Sequence, residues 1–356
     1  MGLKILHSAD WHMGAGMTSL EPGQRELLRK LLLQLPEMIA KLCRQEGCDL
    51  VLLAGDLLEK GADRDALDTL KRGLEECAVP VFISPGNHDY CGPDSPWLEE
   101  NWPENVHIFT GALESVALPE LDCRIWGAGY AGMDCPPLLE GFRAEGEERW
   151  KLCVLHGDPG RTDSPYCPVT IHQAEESGLD YLALGHVHNG GAFRAGKTLC
   201  AWPGCPQGKG WDETGEKGVC IVTLEGEAQL QAVSFPGPRF YDLEVEVNED
   251  APEALKRVLP LDETQDFYRV TLTGIGTSDL RQLQSAFPGV ANLYLRDRML
   301  PATDLWDGAG EDTLEGVFFR LLRDAAMDAE GRDRDQIILA AKISRRLLEG
   351  REVKLQ

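Results

Sequence analysis

No stretch of this sequence approaches the roughly 20 consecutive apolar residues that a membrane-spanning helix requires. Its first residues, MGLKIL, also lack the apolar stretch and the small-residue cleavage site of a secretory signal. Leu6 stands where an N-terminal myristoylation signal has Ser or Thr. These absences predict a cytoplasmic protein with no membrane association.

Paired cysteine motifs are also missing. The chain has 11 cysteines, an odd number, and they are scattered without a C-x-x-C pair. Several, such as Cys153 and Cys220, lie within apolar strand-like runs, where a reduced thiol behaves as a small hydrophobic side chain. The pattern disfavours a disulfide framework and a zinc knot, and it fits a reducing compartment.

Basic residues are few relative to acidic ones. The chain has 35 Lys and Arg against 59 Asp and Glu, a formal net charge of −24. A free-standing nucleic-acid binder usually has a basic surface, because neutralising phosphates supplies most of its non-specific affinity. Either the substrate is not a nucleic acid, or bound metal ions and a partner supply the positive charge.

The 356 residues, 43% of them apolar, are enough for two or three domains. The first two thirds alternate strand-like runs with amphipathic helices and then continue as shorter, antiparallel-looking strands. This order predicts an α/β (α+β) fold in which two facing sheets are flanked by helices, a four-layer αββα two-sheet sandwich.

A domain boundary is predicted near Pro236, where SFPGPRF interrupts the pattern. Residues 1–235 would form the larger domain, and residues 236–300 a small α+β domain of β-α-β-α-β order. Residues 301–356 are predicted to be helical, with a last helix from about Arg334 that ends at Gly350.

An apolar stripe at helical spacing marks the first helix of this C-terminal segment. Its members are Leu314, Val317, Phe318, Leu321 and Leu322. The stripe fits either an ordinary core helix or a surface on which a partner docks.

Polar side chains follow the ends of five strand-like runs. In chain order they are Asp10 and His12; Asp56; Asn87, His88 and Asp89; His156; and His186 and His188. Five of the eight histidines of the chain lie in these stretches. Because open α/β sheets bind ligands at the carboxyl ends of their strands, we expect a shared metal site rather than separate structural histidines.

The donor set indicates which metals would bind. Two aspartates, one asparagine and four imidazoles give seven ligands, too many for one tetrahedral ion and suited to two ions that share Asp56. Mixed nitrogen and oxygen donors favour Mn, Fe, Zn or Co over Mg or Ca. Two such ions roughly 3.5–4 Å apart bind the oxygens of a phosphate and lower the pKa of a shared water, and the resulting hydroxide attacks phosphorus in line.

The five motifs are similar to those of the calcineurin-like metallophosphoesterase superfamily. HSADWHMG, GNHD and LGHVH resemble the SbcD-like DNA repair exonucleases, and GNHDYCGPDSPW and PGCPQGKGWDETGEKG resemble their YhaO-type branch. The resemblance covers about residues 3 to 235 well and the remainder only by layout. It implies a sandwich of metallophosphoesterase type with a small cap domain and C-terminal helices.

The resemblance also implies roles for the motif residues. Two sets of ligands would share one carboxylate: Asp10, His12, Asp56 and His188 for one ion, and Asp56, Asn87, His156 and His186 for the other. Each ion would be a divalent transition metal, with Mn²⁺ preferred and Fe, Zn or Co as alternatives. His88 would face the phosphate and stabilise the transition state or protonate the leaving oxygen. Asp89 would orient His88, or it would cap a loop.

Departures from the family pattern leave some residues without an assigned role. Related nucleases often have a second His or an Asp three residues after the bridging aspartate, where this chain has Glu59. A role of Glu59 in catalysis stays open. His7 is expected in the surroundings of the metal ligands, and His107 and His172 at surface or helix-start positions.

The leading functional prediction is a Mn-type phosphodiesterase that acts on DNA as an exonuclease subunit in DNA repair. The resemblance implies an SMC-like coiled-coil ATPase as partner, which would supply the positive charge that this chain lacks, and it leaves a homodimer open. One alternative is an enzyme for small phosphomonoesters or phosphoproteins, because Lys60 stands where protein phosphatases of the superfamily carry a phosphate-binding Arg. Another is a non-catalytic regulatory subunit.

Overall fold

The structure is a computed structural model that describes residues 2–247, 250–274, 278–299 and 305–348. By their internal contacts these residues form two units, one within residues 1–240 and one within residues 241–356. The functional division predicted at residues 235 and 300 stays a prediction. The predicted helix end at Gly350 lies outside the described residues.

The first unit alternates strands with helices as far as its fourth strand. In chain order its elements are β1 (Leu3–Ser8), α1 (Pro22–Glu46), β2 (Leu50–Leu53), α2 (Arg64–Glu76), β3 (Val81–Ile83), α3 (Pro96–Glu99), β4 (Val106–Ile108), β5 (Glu114–Leu118), β6 (Cys123–Gly127), β7 (Trp150–Leu155), α4 (Ile171–Glu176), β8 (Tyr181–Leu184), β9 (Asn189–Ala195), β10 (Thr198–Gly204), β11 (Gly218–Leu224) and β12 (Ala228–Ser234).

These strands form two six-stranded sheets, with the orders β12-β11-β1-β2-β3-β4 and β5-β6-β7-β8-β10-β9. β1 to β4 run parallel to one another, and so do β6 to β8. Parallel neighbours need a crossover between them, and α1 and α2 provide it in the first sheet. The carboxyl ends of β1, β2 and β3 therefore lie at one edge, as do those of β7 and β8.

Alternate residues of the central strands face different layers. Leu52 of β2 and Leu152 of β7 share a buried core between the two sheets. Their neighbours point the opposite way: Val51 packs into a core with residues of α1 and α2, and Cys153 packs into another with Ala174 of α4. Both faces of these strands are covered, which explains their continuous apolar sequences. The predicted four-layer αββα two-sheet sandwich is confirmed.

The second unit has the predicted β-α-β-α-β order followed by two helices. Its elements are β13 (Phe240–Val247), α5 (Ala251–Lys256), β14 (Thr264–Gly274), α6 (Leu280–Ser285), β15 (Val290–Asp297), α7 (Leu314–Asp328) and α8 (Gly331–Leu348). The sheet order is β13-β14-β15, and Leu255 of α5 and Leu283 of α6 pack on it in one buried core. None of the helices in the described residues is both long enough and apolar enough to cross a membrane.

The apolar stripe of α7 divides between two surfaces. Phe319 is buried and packs with Ala341 of α8. Leu314, Phe318 and Leu321 instead have exposed fractions of 90%, 42% and 65%. An ordinary core helix would bury these side chains, and so the outer part of the stripe is an exposed apolar surface.

The inter-sheet core predicts the effect of a cavity. We expect Leu152→Ala to lower the free energy of unfolding by about 2–5 kcal/mol, because Leu152 is fully buried between the sheets and its loss leaves a void. Urea denaturation followed by circular dichroism measures the change. Leu98→Ala, at a position 53% exposed, is the matched control, and an equally small effect of both substitutions would contradict this packing.

Candidate metal centre

The predicted polar residues lie in loops that follow five strands. Asp10 and His12 follow β1, and Asp56 follows β2. The Asn87–Asp89 segment follows β3, His156 follows β7, and the 186–188 segment follows β8. All of these strands belong to the parallel parts of the two sheets, so their loops meet at one end of the sandwich.

The donor atoms of these loops converge. Three overlapping groups have all their candidate ligand atoms within 4.8 Å of one another: Asp10, His12 and His188; His12, Asp56 and His88; and Asp10, Asp56 and His156. Asn87 joins them through its Oδ1, which lies 3.1 Å from His156 Nε2. His186 lies beside this cluster, with its ring centroid 5.2 Å from that of His156, and is in none of the three groups.

Strained backbone holds several of these side chains in place. Asp10, His12, Asp56 and His186 adopt positive φ angles of 58°, 50°, 51° and 83°. Such conformations cost on the order of 1–3 kcal/mol each for residues other than glycine and concentrate at functional sites. Close approach also requires Gly86, because a Cβ there would lie 2.3 Å from Asp56 Oδ1.

Two imidazole nitrogens face each other with no proton between them. His12 Nδ1 donates to Glu59 Oε1 at 2.8 Å, and His188 Nδ1 donates to Glu213 Oε1 at 2.6 Å. Because a carboxylate only accepts, each neutral ring carries its lone pair on Nε2. These two Nε2 atoms are 3.1 Å apart, and burial lowers the pKa of His12, which opposes a second proton on that ring. A cation between the two rings satisfies both lone pairs.

A second convergence of acceptors surrounds His156. Its Nδ1 donates to the Ala54 carbonyl at 2.8 Å, which leaves Nε2 facing Asn87 Oδ1 at 3.1 Å and Asp56 Oδ2 at 3.3 Å. Burial opposes a charge on this ring, but Asp56 outweighs it and raises the pKa of His156 to about 9. This position therefore takes a positive charge, as a proton or as a metal ion.

Asp56 lies between these two convergences. Its Oδ2 is 3.8 Å from His12 Nε2 and 3.3 Å from His156 Nε2, and its Oδ1 accepts from the backbone N–H of His88. Burial opposes its ionisation, but His156 outweighs burial and lowers the pKa of Asp56. We call Asp10, His12 and His188 the first donor set, and Asn87, His156 and His186 the second donor set. Asp56 is the carboxylate that both sets can share.

Asp89 contacts backbone rather than the His88 ring. It accepts four backbone N–H bonds, at 2.7–3.2 Å, from Gly86, Asp56, Leu57 and Leu58. Despite these bonds, burial and the nearby Asp56 charge raise the pKa of Asp89 to about 7. Asp89 thus ties the loop after β2 to the loop after β3. These contacts match the loop-capping alternative and not the orientation of His88.

Glu59 takes the place at His88 that Asp89 was expected to occupy. One of its oxygens accepts from His12 Nδ1 at 2.8 Å, and the other accepts from His88 Nδ1 at 3.1 Å. Burial opposes ionisation, but the hydrogen bonds from the two imidazoles outweigh it and lower the pKa of Glu59 to about 2. The carboxylate orients one ring of the first donor set and one ring beside it.

The remaining histidines lie apart from the cluster. His7 is buried in β1 and bonds Tyr181 Oη at 2.7 Å, and burial lowers the pKa of His7 to about 3. His172 lies in the first turn of α4 with its side chain 77% exposed, as predicted. His107 corrects the surface or helix-start prediction, because it lies in β4 and packs edge-on against Phe109 at 4.7 Å.

Two facing sheets whose loops gather aspartates and histidines around one carboxylate define a metal-binding hydrolase. The profile of the calcineurin-like phosphoesterases matches residues 3–190. The chain belongs to this family, whose members are metallophosphoesterases.

Individual relatives include nucleases. The chain is 33% identical over 236 residues to the uncharacterised metallophosphoesterase YhaO of Bacillus subtilis, which covers 62% of this chain and 57% of that protein. It is 23% identical over 330 residues to a subunit of the nuclease SbcCD from Staphylococcus epidermidis, covering 82% and 85%. It is 25% identical over 271 residues to the DNA double-strand break repair protein Mre11 of Aeropyrum pernix, covering 69% and 64%. The match thus spans less than two thirds of the Bacillus and Aeropyrum proteins.

The contacts of Asp89 predict a loss of stability rather than of chemistry alone. We expect Asp89→Asn to lower the free energy of unfolding of the metal-free protein by about 2 kcal/mol or more, because an amide cannot accept all four backbone bonds. Urea denaturation measures this change. Asp163→Asn, at a side chain 78% exposed, is the control. Wild-type stability with lost turnover would favour the His88-orienting role instead.

Proposed function

We propose that the chain is a dinuclear-metal-dependent phosphodiesterase that acts on DNA, as an exonuclease subunit in DNA repair. The observation that carries the dinuclear part is the pair of acceptor convergences on either side of Asp56. Each brings together nitrogen and oxygen lone pairs that only a cation stabilises. Membership of the phosphoesterase family supports phosphate ester hydrolysis as the reaction.

Two sets of side chains would hold the ions. Asp10, His12, Asp56 and His188 would bind one ion, and Asp56, Asn87, His156 and His186 the other. The mixture of imidazoles, carboxylates and an amide suits Mn²⁺, with Fe, Zn or Co as alternatives. When bound, such ions act as Lewis acids toward phosphate oxygens and lower the pKa of coordinated water.

His88 is the proposed catalytic residue beside the metal ligands. Its side chain is 42% exposed, whereas the side chains of His12 and His156 are nearly fully buried. The hydrogen bond to Glu59 at Nδ1 raises the pKa of His88, which favours the charged imidazolium and directs Nε2 away from Glu59. A cation with a free N–H stabilises the negative charge of a phosphate and can donate a proton to the leaving oxygen.

DNA as substrate is supported by the relatives and opposed by the charge of the chain. Two relatives carry the names of a nuclease subunit and of a double-strand break repair protein. The net charge of −24 repels a polyanion, so metal ions and a partner would have to supply the attraction. For this reason we propose that the chain works as one subunit of a larger nuclease.

The exposed apolar surface of α7 supports a docking site for that partner. Leu314, Phe318 and Leu321 recur at helical spacing and stay exposed in the described residues. We propose an SMC-like coiled-coil ATPase as the partner. The 11 free cysteines, all buried, support a reducing cytoplasmic location.

A phosphomonoesterase is the second candidate, and Lys60 favours it. This exposed residue directly follows Glu59, and its Nζ lies 5.7 Å from the centroid of the Tyr90 ring, two residues beyond His88. A cation at this position could contact the terminal oxygens of a monoester. The relative turnover of diester and monoester substrates separates the two candidates.

The proposed activity predicts metal-dependent degradation of DNA. We expect the protein with Mn²⁺ to degrade linear double- or single-stranded DNA and to hydrolyse a chromogenic phosphodiester faster than the corresponding monoester. A chelator should abolish both activities, because the ions supply the Lewis acid. Release of nucleotides and of the chromophore measures them. A strong preference for the monoester would overturn the nuclease assignment.

His88→Ala tests the proposed catalytic residue. We expect turnover to fall by roughly 10²–10⁴-fold, the range for loss of a general acid or base, while the chain keeps two metal ions. Initial rates and elemental analysis of the same preparation measure both quantities. His172→Ala, on the exposed surface of α4, should change neither. Unchanged turnover in His88→Ala would favour the non-catalytic regulatory subunit.

A further inference from the structure

Three charged residues of one loop are buried against the first donor set. The loop runs from Cys205 to Lys217, between β10 and β11, and carries Lys209, Glu213 and Lys217. Glu213 is 4% exposed and Lys217 7% exposed, and the side chain of Lys209 is 10% exposed. Charged side chains are buried at this level only where they have partners that compensate for lost water.

The partners of these side chains belong to the metal centre. Glu213 Oε1 accepts from His188 Nδ1 at 2.6 Å and from Lys209 Nζ at 3.0 Å, and Oε2 accepts from the Lys209 backbone N–H at 2.6 Å. Lys209 Nζ also lies 3.4 Å from the Asp10 carbonyl. With three donors on two oxygens, the Glu213 carboxylate cannot rotate away from His188. The loop therefore fixes the ring of a proposed ligand from behind.

The two donor sets differ in this respect. In the first set, both imidazoles donate Nδ1–H to a carboxylate, His12 to Glu59 and His188 to Glu213. In the second set, His156 donates to the neutral carbonyl of Ala54, and the His186 ring packs on the Tyr166 ring at 4.6 Å. A carboxylate at Nδ1 makes the opposite nitrogen a stronger metal ligand and fixes its direction.

We propose that Glu213 is a positioning residue of the metal centre, which orients His188 and thereby sets the affinity of the first donor set for its metal ion. Glu213 does not itself contact the ion. The inference rests on the proposed dinuclear site and adds a residue from the loop between β10 and β11 to it. Because His188 belongs to only one set, loss of Glu213 should weaken one ion and spare the other.

The test is a titration of metal-free protein with Mn²⁺ alone, followed by isothermal titration calorimetry. We expect the wild type to bind two ions. Glu213→Gln keeps the size of the side chain but weakens the acceptor at His188, and it should lower the affinity for one ion by about 10–100-fold. The affinity for the other ion should stay within about twofold of wild type, a selectivity that general loosening of the fold would not produce.

Glu216→Gln is the matched control. Glu216 lies in the same loop, but its carboxylate is exposed and bonds Ser234 and Arg239 rather than a histidine. We expect this variant to bind both ions as the wild type does. Thermal unfolding of the three metal-free proteins should give similar midpoints, because the inferred effect is on metal binding.

A double variant separates orientation from charge. Glu213→Ala leaves Lys209 buried beside the site without its carboxylate, and this positive charge alone would repel a metal ion. Glu213→Ala with Lys209→Met removes both charges, and we expect it to bind one ion as weakly as Glu213→Gln does. Recovery of wild-type affinity in the double variant would show a charge effect and overturn the positioning role.

The remaining outcomes also decide the question. Wild-type affinity for both ions in Glu213→Gln would overturn this inference and leave the dinuclear site intact. Equal weakening of both ions together with a lower unfolding midpoint would show that Glu213 only stabilises the fold. A wild-type protein that binds no Mn²⁺ would instead overturn the proposed function.

Discussion

The end of the sandwich depends on one electrostatic constraint, the crowding of lone pairs and negative charge around Asp56. Two carboxylates, an amide oxygen and imidazole nitrogens approach one another to within 3.1–3.9 Å, in a region closed to water. Groups of this kind repel one another unless positive charge lies between them. The fold holds them together through strained loops, since four of the residues adopt left-handed backbone angles.

The layered fold and the main donors could be predicted from the sequence because both follow from local patterns. Apolar runs such as Leu50–Leu53 predict strands buried on both faces, and helices between them predict parallel order. In a parallel sheet the carboxyl ends of strands lie at one edge, so residues such as Asp10 and Asp56 had to approach each other. No further knowledge of side-chain geometry was needed for that step.

Contacts between distant side chains could not be predicted in this way. His12 and Glu59 are 47 residues apart, and His188 and Glu213 are 25 apart, so their pairing depends on rotamers that local patterns do not specify. The loop with Glu213 is recognisable in the sequence only by its similarity to one branch of the family. Asp89 shows the same limit, because an aspartate beside a histidine can bond either the ring or the backbone.

The most direct test of the dinuclear centre is a crystal of the protein grown with Mn²⁺ and measured at the manganese absorption edge. The account predicts two anomalous peaks, one on each side of the Asp56 carboxylate, with His12 and His188 beside one peak and His156 beside the other. No peak at Asp56, or a single peak bound by residues of only one donor set, would contradict it.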